Sequence, residues 1–161
     1  GIMRFEEIAA SRDLADAEAT VEINLLGPIR LTDALLAHLK AQDDAAIVNV
    51  TSGLAFVPMP RTATYSATKA ALHSYTVSLR AKLAGQVEVI EIAPPAVQTE
   101  LTPGQSTREG YMPLDDFIDE TMEGFTKGET PPEVLTKMVL FLRNAEAEGR
   151  FEEALAMTSK F

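Results

Sequence analysis

The sequence predicts an α/β fold built on a parallel sheet, and three observations carry that prediction. Long stretches with apolar residues at helical spacing alternate with short runs rich in Ile and Val. The connections between the short runs are long enough for the right-handed crossovers that parallel strands require. No internal repeat or low-complexity tract breaks the alternation. With 161 residues, 46% of them hydrophobic, the chain can bury one ordinary core, so 1–161 is expected to form a single domain.

The elements follow in order. Residues 13–41 read as one long helix, with Ala15, Ala19, Ile23, Leu26, Ile29, Leu35, Leu36 and Leu39 recurring at helical spacing and Asp13 able to cap the start. Gly27-Pro28 interrupts it and predicts a bend. Ala45 to Thr51 reads as a buried parallel strand. Thr62 to Ala84 reads as a second long helix with a small-residue face at Ala67, Ala70 and Ala71, ended by Gly85. Val87 to Ile92 reads as a second strand, stopped by Pro94-Pro95. A short helix is expected at Leu114–Phe125, and Pro131-Pro132 is read as opening a last helix that runs to about Asn144. Phe151 to Thr158 is read as a weak final strand.

Charge and composition narrow the function. The balance of 24 acidic against 14 basic residues gives a net charge of −10, which repels phosphate backbones and anionic membranes, so neither nucleic acid nor membrane is an expected partner. The longest uncharged stretch, Ala45 to Pro60, is too short and too polar to span a bilayer. Zero cysteines exclude disulfides and thiolate metal sites and fit a cytoplasmic protein. Only His38 and His73 offer imidazole, and they fall on different predicted helices, so no metal site is expected. Asp115, Asp116, Asp119, Glu120 and Glu123 read as a solvated acidic face of the short helix. Met112, Phe117, Ile118, Met122 and Phe125 lie on its other side and read either as a packing face or as the lining of an apolar pocket.

The chemistry is concentrated around Tyr65-Ser-Ala-Thr-Lys69. Tyr65 and Lys69 are four residues apart at the start of a helix, so both project from one face. An ammonium beside a phenol favours phenolate, which suits a general acid/base exchanging a proton with an alcohol or carbonyl. A lone pair of this kind is also common on solvated helix surfaces. Ser52 stands thirteen residues upstream, at the C-terminal end of a strand, where open α/β sheets place ligands. Its hydroxyl can hold a substrate oxygen against Tyr65, or simply cap the turn. Asn24 lies in the first helix just before Gly27-Pro28, where it can bind a water or satisfy the backbone at the bend.

Together Glu22-Ile-Asn24, Ile47-Val-Asn-Val-Thr-Ser52, Tyr65-Ser-Ala-Thr-Lys69-Ala-Ala and Pro94-Pro95-Ala96-Val97-Gln98-Thr99 resemble the short-chain dehydrogenase/reductase family. The resemblance runs from Gly1 to at least Leu101. It implies a partial doubly wound, Rossmann-like parallel sheet with flanking helices, the N-terminal half being absent. It also implies an oxidoreductase that interconverts a carbonyl and an alcohol with NAD or NADP. By the resemblance, Asn24, Ser52, Tyr65 and Lys69 form a catalytic tetrad. Tyr65 is the acid/base and Ser52 orients the carbonyl. Lys69 lowers the tyrosine pKa and, with Tyr65, binds the nicotinamide ribose, while Asn24 holds a relay water. Val97 and Thr99 match positions that contact the carboxamide, and residues 98–130 match a variable segment that covers the substrate.

Two departures shape the expectation. The family has Pro-Gly where this chain has Pro94-Pro95, which changes the turn because proline fixes φ and lacks an N–H. The nine glycines, at 1, 27, 53, 85, 104, 110, 124, 128 and 149, form no phosphate cradle between a strand and a helix. The isolated chain is therefore expected to be inactive. The bare edge at 47–51 is expected to be covered by self-association or by the missing N-terminal half, and the two long helices match a family dimer interface. The competing readings are a non-catalytic α/β association module and, more distantly, an isomerase or epimerase with the same Tyr-x-x-x-Lys chemistry.

Overall fold

A computed structural model describes residues 1–161. Three parallel strands, β1 (Ala46–Val50), β2 (Glu88–Ile92) and β3 (Glu133–Val134), form one sheet in the order β1-β2-β3. β1 and β2 pair in register from Ala46↔Glu88 to Val50↔Ile92, and β2 meets β3 at Glu91↔Glu133 and Ile92↔Val134. The helices are α1 (Ala15–Val21), α2 (Gly27–Leu39), α3 (Ala63–Leu83), α4 (Leu114–Thr126), α5 (Leu140–Arg143) and α6 (Phe151–Thr158). None of them is long and apolar enough to cross a membrane. The α/β class and the parallel sheet are as the sequence predicts.

The first long helix is continuous but not uniform. Leu14 holds the N-cap position of α1 without a side-chain cap, and Asp13, one residue before it, accepts the N–H of Ala15 through Oδ1 at 3.0 Å. Glu22–Leu26 then winds as a π-helical turn, with the Gly27 N–H bonded to the Glu22 carbonyl five residues back. The next residue, Pro28, has no N–H to continue the ladder, which is why the wide turn sits just before the predicted bend. α1 and the π turn pack on α3, and α2 lies against β1. Leu36 and Leu39 of α2 join Leu79, Leu83, Val87 and Val89 in one apolar cluster. α3 ends where Gly85 takes φ +75°, a conformation that favours glycine.

The structure corrects three expectations. β1 is parallel but not buried: Val48 and Val50 are 42% and 49% exposed, because nothing in this chain covers that face of the edge strand. Pro131-Pro132 does not open a helix. The Pro132 carbonyl accepts the Glu91 N–H at 3.0 Å and Arg80 Nη2 at 2.7 Å, which draws the segment alongside β2 as β3 and delays the helix to α5. A residue before proline also prefers extended backbone. Finally, Phe151–Thr158 is a helix, α6, rather than a strand. Glu152 and Glu153 suit its first turn, and Ala154, with Leu155 beside it, packs with Val57. Thr158 Oγ1 closes the contact by donating to the Pro58 carbonyl at 2.8 Å.

Candidate active site

Ser52 stands two residues beyond the end of β1, after Thr51, and opens the short turn Gly53–Ala55. Its Oγ accepts the Leu54 N–H at 3.1 Å, so the capping role is realised while the hydroxyl proton stays free to donate. The turn is held close: the Gly53 N–H reaches the Pro94 carbonyl at 2.8 Å, which ties the end of β1 to the Pro94-Pro95 turn after β2. A Cβ on Gly53 would stand 2.9 Å from both Leu142 and Val139, so only glycine passes here without displacement.

α3 delivers Tyr65 and Lys69. Its first turn is fixed by Glu6, whose carboxylate accepts the Thr64 N–H and the Thr64 hydroxyl, each at 2.7 Å, and pairs with Arg12 at 2.9 Å. Burial pushes the Tyr65 phenol above its ordinary range, and a hydrogen bond with Ser52 draws it part of the way back. Lys69 Nζ stands 5.5 Å from the centre of the Tyr65 ring and donates to the Val50 carbonyl at 2.8 Å. Burial lowers its pKa to about 8. Desolvation thus disfavours the charged form of both side chains, and the hydrogen bond with Ser52 favours phenolate.

Asn24, buried in the π turn, is committed to the main chain. Its Oδ1 accepts the Ile2 N–H at 2.8 Å and its Nδ2 donates to the Ile2 carbonyl at 2.7 Å. A Cβ on Gly1 would lie 2.7 Å from that Oδ1. The side chain thus pins the segment at Gly1–Ile2, with one N–H of Nδ2 and one lone pair of Oδ1 beyond these two bonds.

Two hollows flank the tetrad. A cavity of about 500 Å³ lies at the C-terminal ends of β1 and β2, with Ser52 and Tyr65 in its wall beside Pro94, Pro95 and Ala96. Leu54, Met59, Leu101, Phe141, Leu142 and Met157 make it largely apolar, and Glu109 is its one charged lining residue. On the other side a groove of about 610 Å³ runs between α2 and β1, reaching Asn24 and Lys69. Val97 and Thr99 line neither hollow. Val97 is buried and bridged to Met112, while Gln105 Nε2 donates to the Val97 carbonyl at 2.8 Å and to Thr99 Oγ1 at 3.1 Å. From the 98–130 segment the cavity takes Leu101, Gln105 and 109–111, whereas Ile118 and Met122 of α4 are exposed, 46% and 50%.

Sequence reasoning missed a polar cluster behind Ser52. Glu91 is fully buried, accepts the Thr51 hydroxyl at 2.6 Å, and faces His73 Nδ1 with both oxygens at 2.8 and 3.0 Å. Glu133 stands near the same ring, and its two oxygens are taken by Arg143 at 2.7 and 3.0 Å. That bidentate pair makes the cluster an ion-pair network rather than an open ligand set. The available signal was a glutamate between Ile90 and Ile92, with His73 four residues beyond Lys69.

The family profile described as short chain dehydrogenase matches residues 1–110. The "Uncharacterized oxidoreductase DltE" of Bacillus subtilis is 38% identical over 130 residues, covering 78% of this chain and 51% of the relative. Human 17-beta-hydroxysteroid dehydrogenase type 3 is 25% identical over 114 residues, covering 70% of this chain and 37% of that protein. A crystal structure of a short chain dehydrogenase from Burkholderia cenocepacia in complex with NADP superposes with a TM-score of 0.82 at 28% identity, over 98% of this chain and 67% of that one. The chain therefore spans about half the length of its Bacillus relative. Matching profile, sequence and fold agree: this chain belongs to the short-chain dehydrogenase/reductase family.

Proposed function

We propose that this chain supplies the proton-handling half of an NAD- or NADP-dependent oxidoreductase that interconverts a carbonyl and an alcohol. The observation that carries the reading is the buried Ser52–Tyr65 pair in the wall of an apolar cavity at the strand ends. In reduction, Ser52 turns its hydroxyl proton from the Tyr65 oxygen to the carbonyl oxygen and holds that oxygen against Tyr65. The Tyr65 phenol then gives its proton to that oxygen as negative charge develops there. A nicotinamide, when bound, would supply the hydride. Lys69 keeps two N–H donors beyond its bond to Val50, which suits a ribose, and Asn24 holds Ile2 in place beside it.

Fit to the whole dinucleotide is partial. The Tyr65 and Lys69 end has donors and space, but none of the nine glycines forms a pyrophosphate cradle. The groove between α2 and β1 suits coverage by further polypeptide of the same fold or by a second copy, and the isolated chain would be inactive. The cavity lining favours an uncharged small molecule with apolar substituents.

The test is NADPH oxidation by the full-length polypeptide over a panel of neutral ketones and aldehydes. Tyr65→Phe should cut kcat by about 10²–10⁴ while leaving NADPH binding intact. Equal turnover by Tyr65→Phe and the parent would refute the reading. The same groove also favours a second reading, a non-catalytic module that works by association. In that case NADPH fluorescence would not change on mixing with the full-length polypeptide.

A further inference from the structure

We propose that Thr51, Glu91 and His73 form a clamp that sets Ser52 against Tyr65, each acting as a positioning residue. The inference rests on the reading of Ser52 and Tyr65 as the proton-handling pair.

Glu91 is fully buried in the middle strand of the sheet, where an apolar residue would serve stability as well or better. Its carboxylate is used geometrically. One oxygen takes the hydroxyl of Thr51, the residue immediately before Ser52, at 2.6 Å. Both oxygens face Nδ1 of His73, at 2.8 and 3.0 Å. His73 lies on the same face of α3 as Tyr65 and Lys69, at steps of four residues. A single carboxylate thus joins the end of β1, which carries Ser52, to the helix that carries Tyr65.

The clamp is backed on its far side. Phe56 meets the His73 ring edge-on at 4.9 Å, and the Arg143 guanidinium lies 4.6 Å from the centre of the Phe56 ring. Arg143 in turn holds Glu133 of β3. The Thr51 N–H adds a backbone tie to the Ile92 carbonyl at 2.8 Å. Thr51 at the end of β1 and His73 of α3 therefore meet on one carboxylate, backed through Phe56, Arg143 and Glu133 by the turn after Ser52, α5 and β3, while none of the clamp residues borders the cavity.

The test needs no substrate. In the full-length polypeptide labelled with ¹³Cζ-tyrosine, the Tyr65 resonance, assigned from Tyr65→Phe, is titrated by NMR. The charged groups facing Tyr65 are Lys69 on its own helix and Glu109 across the cavity, and both stay unaltered. Ser52→Ala should raise the Tyr65 midpoint, since it removes the bond that favours phenolate. Thr51→Val and Glu91→Gln, both nearly isosteric, should raise it comparably. Thr51→Ser should restore it, and Thr51→Val should add nothing in the Ser52→Ala background. If Ser52→Ala shifts the midpoint but Thr51→Val and Glu91→Gln do not, the clamp is overturned and the site reading stands. If Ser52→Ala leaves the midpoint in place, the paired reading of Ser52 and Tyr65 falls and takes the clamp with it.

Discussion

The two hollows beside β1 are similar in size and opposite in finish. At the strand ends, Ser52, Thr51, Glu91 and Gln105 are buried and bonded, and the only buried side-chain polar atoms lacking a partner, Thr121 Oγ1 and Thr136 Oγ1, lie elsewhere. On the groove side, Val48, Val50, Leu31 and Leu35 stand 42–61% exposed along an unpaired strand edge. The contrast teaches that this chain specifies the strand-end cavity by itself and leaves the α2–β1 face to be finished by something else.

The largest expected effect breaks that contrast directly. If the groove is covered in the full-length polypeptide, Val48→Lys buries an unpaired charge and should cost about 3–5 kcal/mol in urea denaturation. A change within about 0.5 kcal/mol would mean that the face stays in water.

The next prediction concerns Lys69, whose lowered pKa means the folded chain holds fewer protons than the unfolded chain between pH 8 and the ordinary lysine value. Stability should therefore rise with pH across that window, by about 3 kcal/mol at most, and sit at its lower level below pH 8. Tyr65, shifted upward, works in the opposite sense only above its ordinary value of 10.0, so measurements between pH 7.5 and 9.5 isolate the lysine. Lys69→Met should flatten the profile in that range. A wild-type-like slope in the variant would show that another group causes it.

Asn24→Ala sharpens the comparison where the two sides meet. It strips both partners from Ile2 and should cost about 1–3 kcal/mol. Amide exchange at Ile2 should quicken while the Ser52 turn keeps its protection. The smallest effect belongs to Arg30→Ala, which removes an exposed pair with Glu22 and should stay within about 0.5 kcal/mol.

Local signals made the framework readable. Periodicity located α3 and β2 to within a residue or two, and Pro94-Pro95 marked where β2 stops. The errors came where distant partners decide. Arg80 and the Glu91 N–H capture the Pro132 carbonyl from other elements, and no window around Pro131-Pro132 contains them. α6 takes its face from Val57 and Pro58, about a hundred residues away. At the site, spacing brought Tyr65, Lys69 and Ser52 into view. Glu91 stayed hidden because a charge in a strand reads as an exposed edge until its partners on β1 and α3 are known.

The π turn at Glu22–Leu26 has one further consequence, best put as phase. One extra residue within a helix rotates everything beyond it by about 100° around the axis. The stretch before the turn can thus look toward α3 while the stretch after it looks toward β1, along one uninterrupted rod. Asn24 sits where the rotation happens, so a one-residue deletion there would leave both ends helical and turn the wrong faces inward.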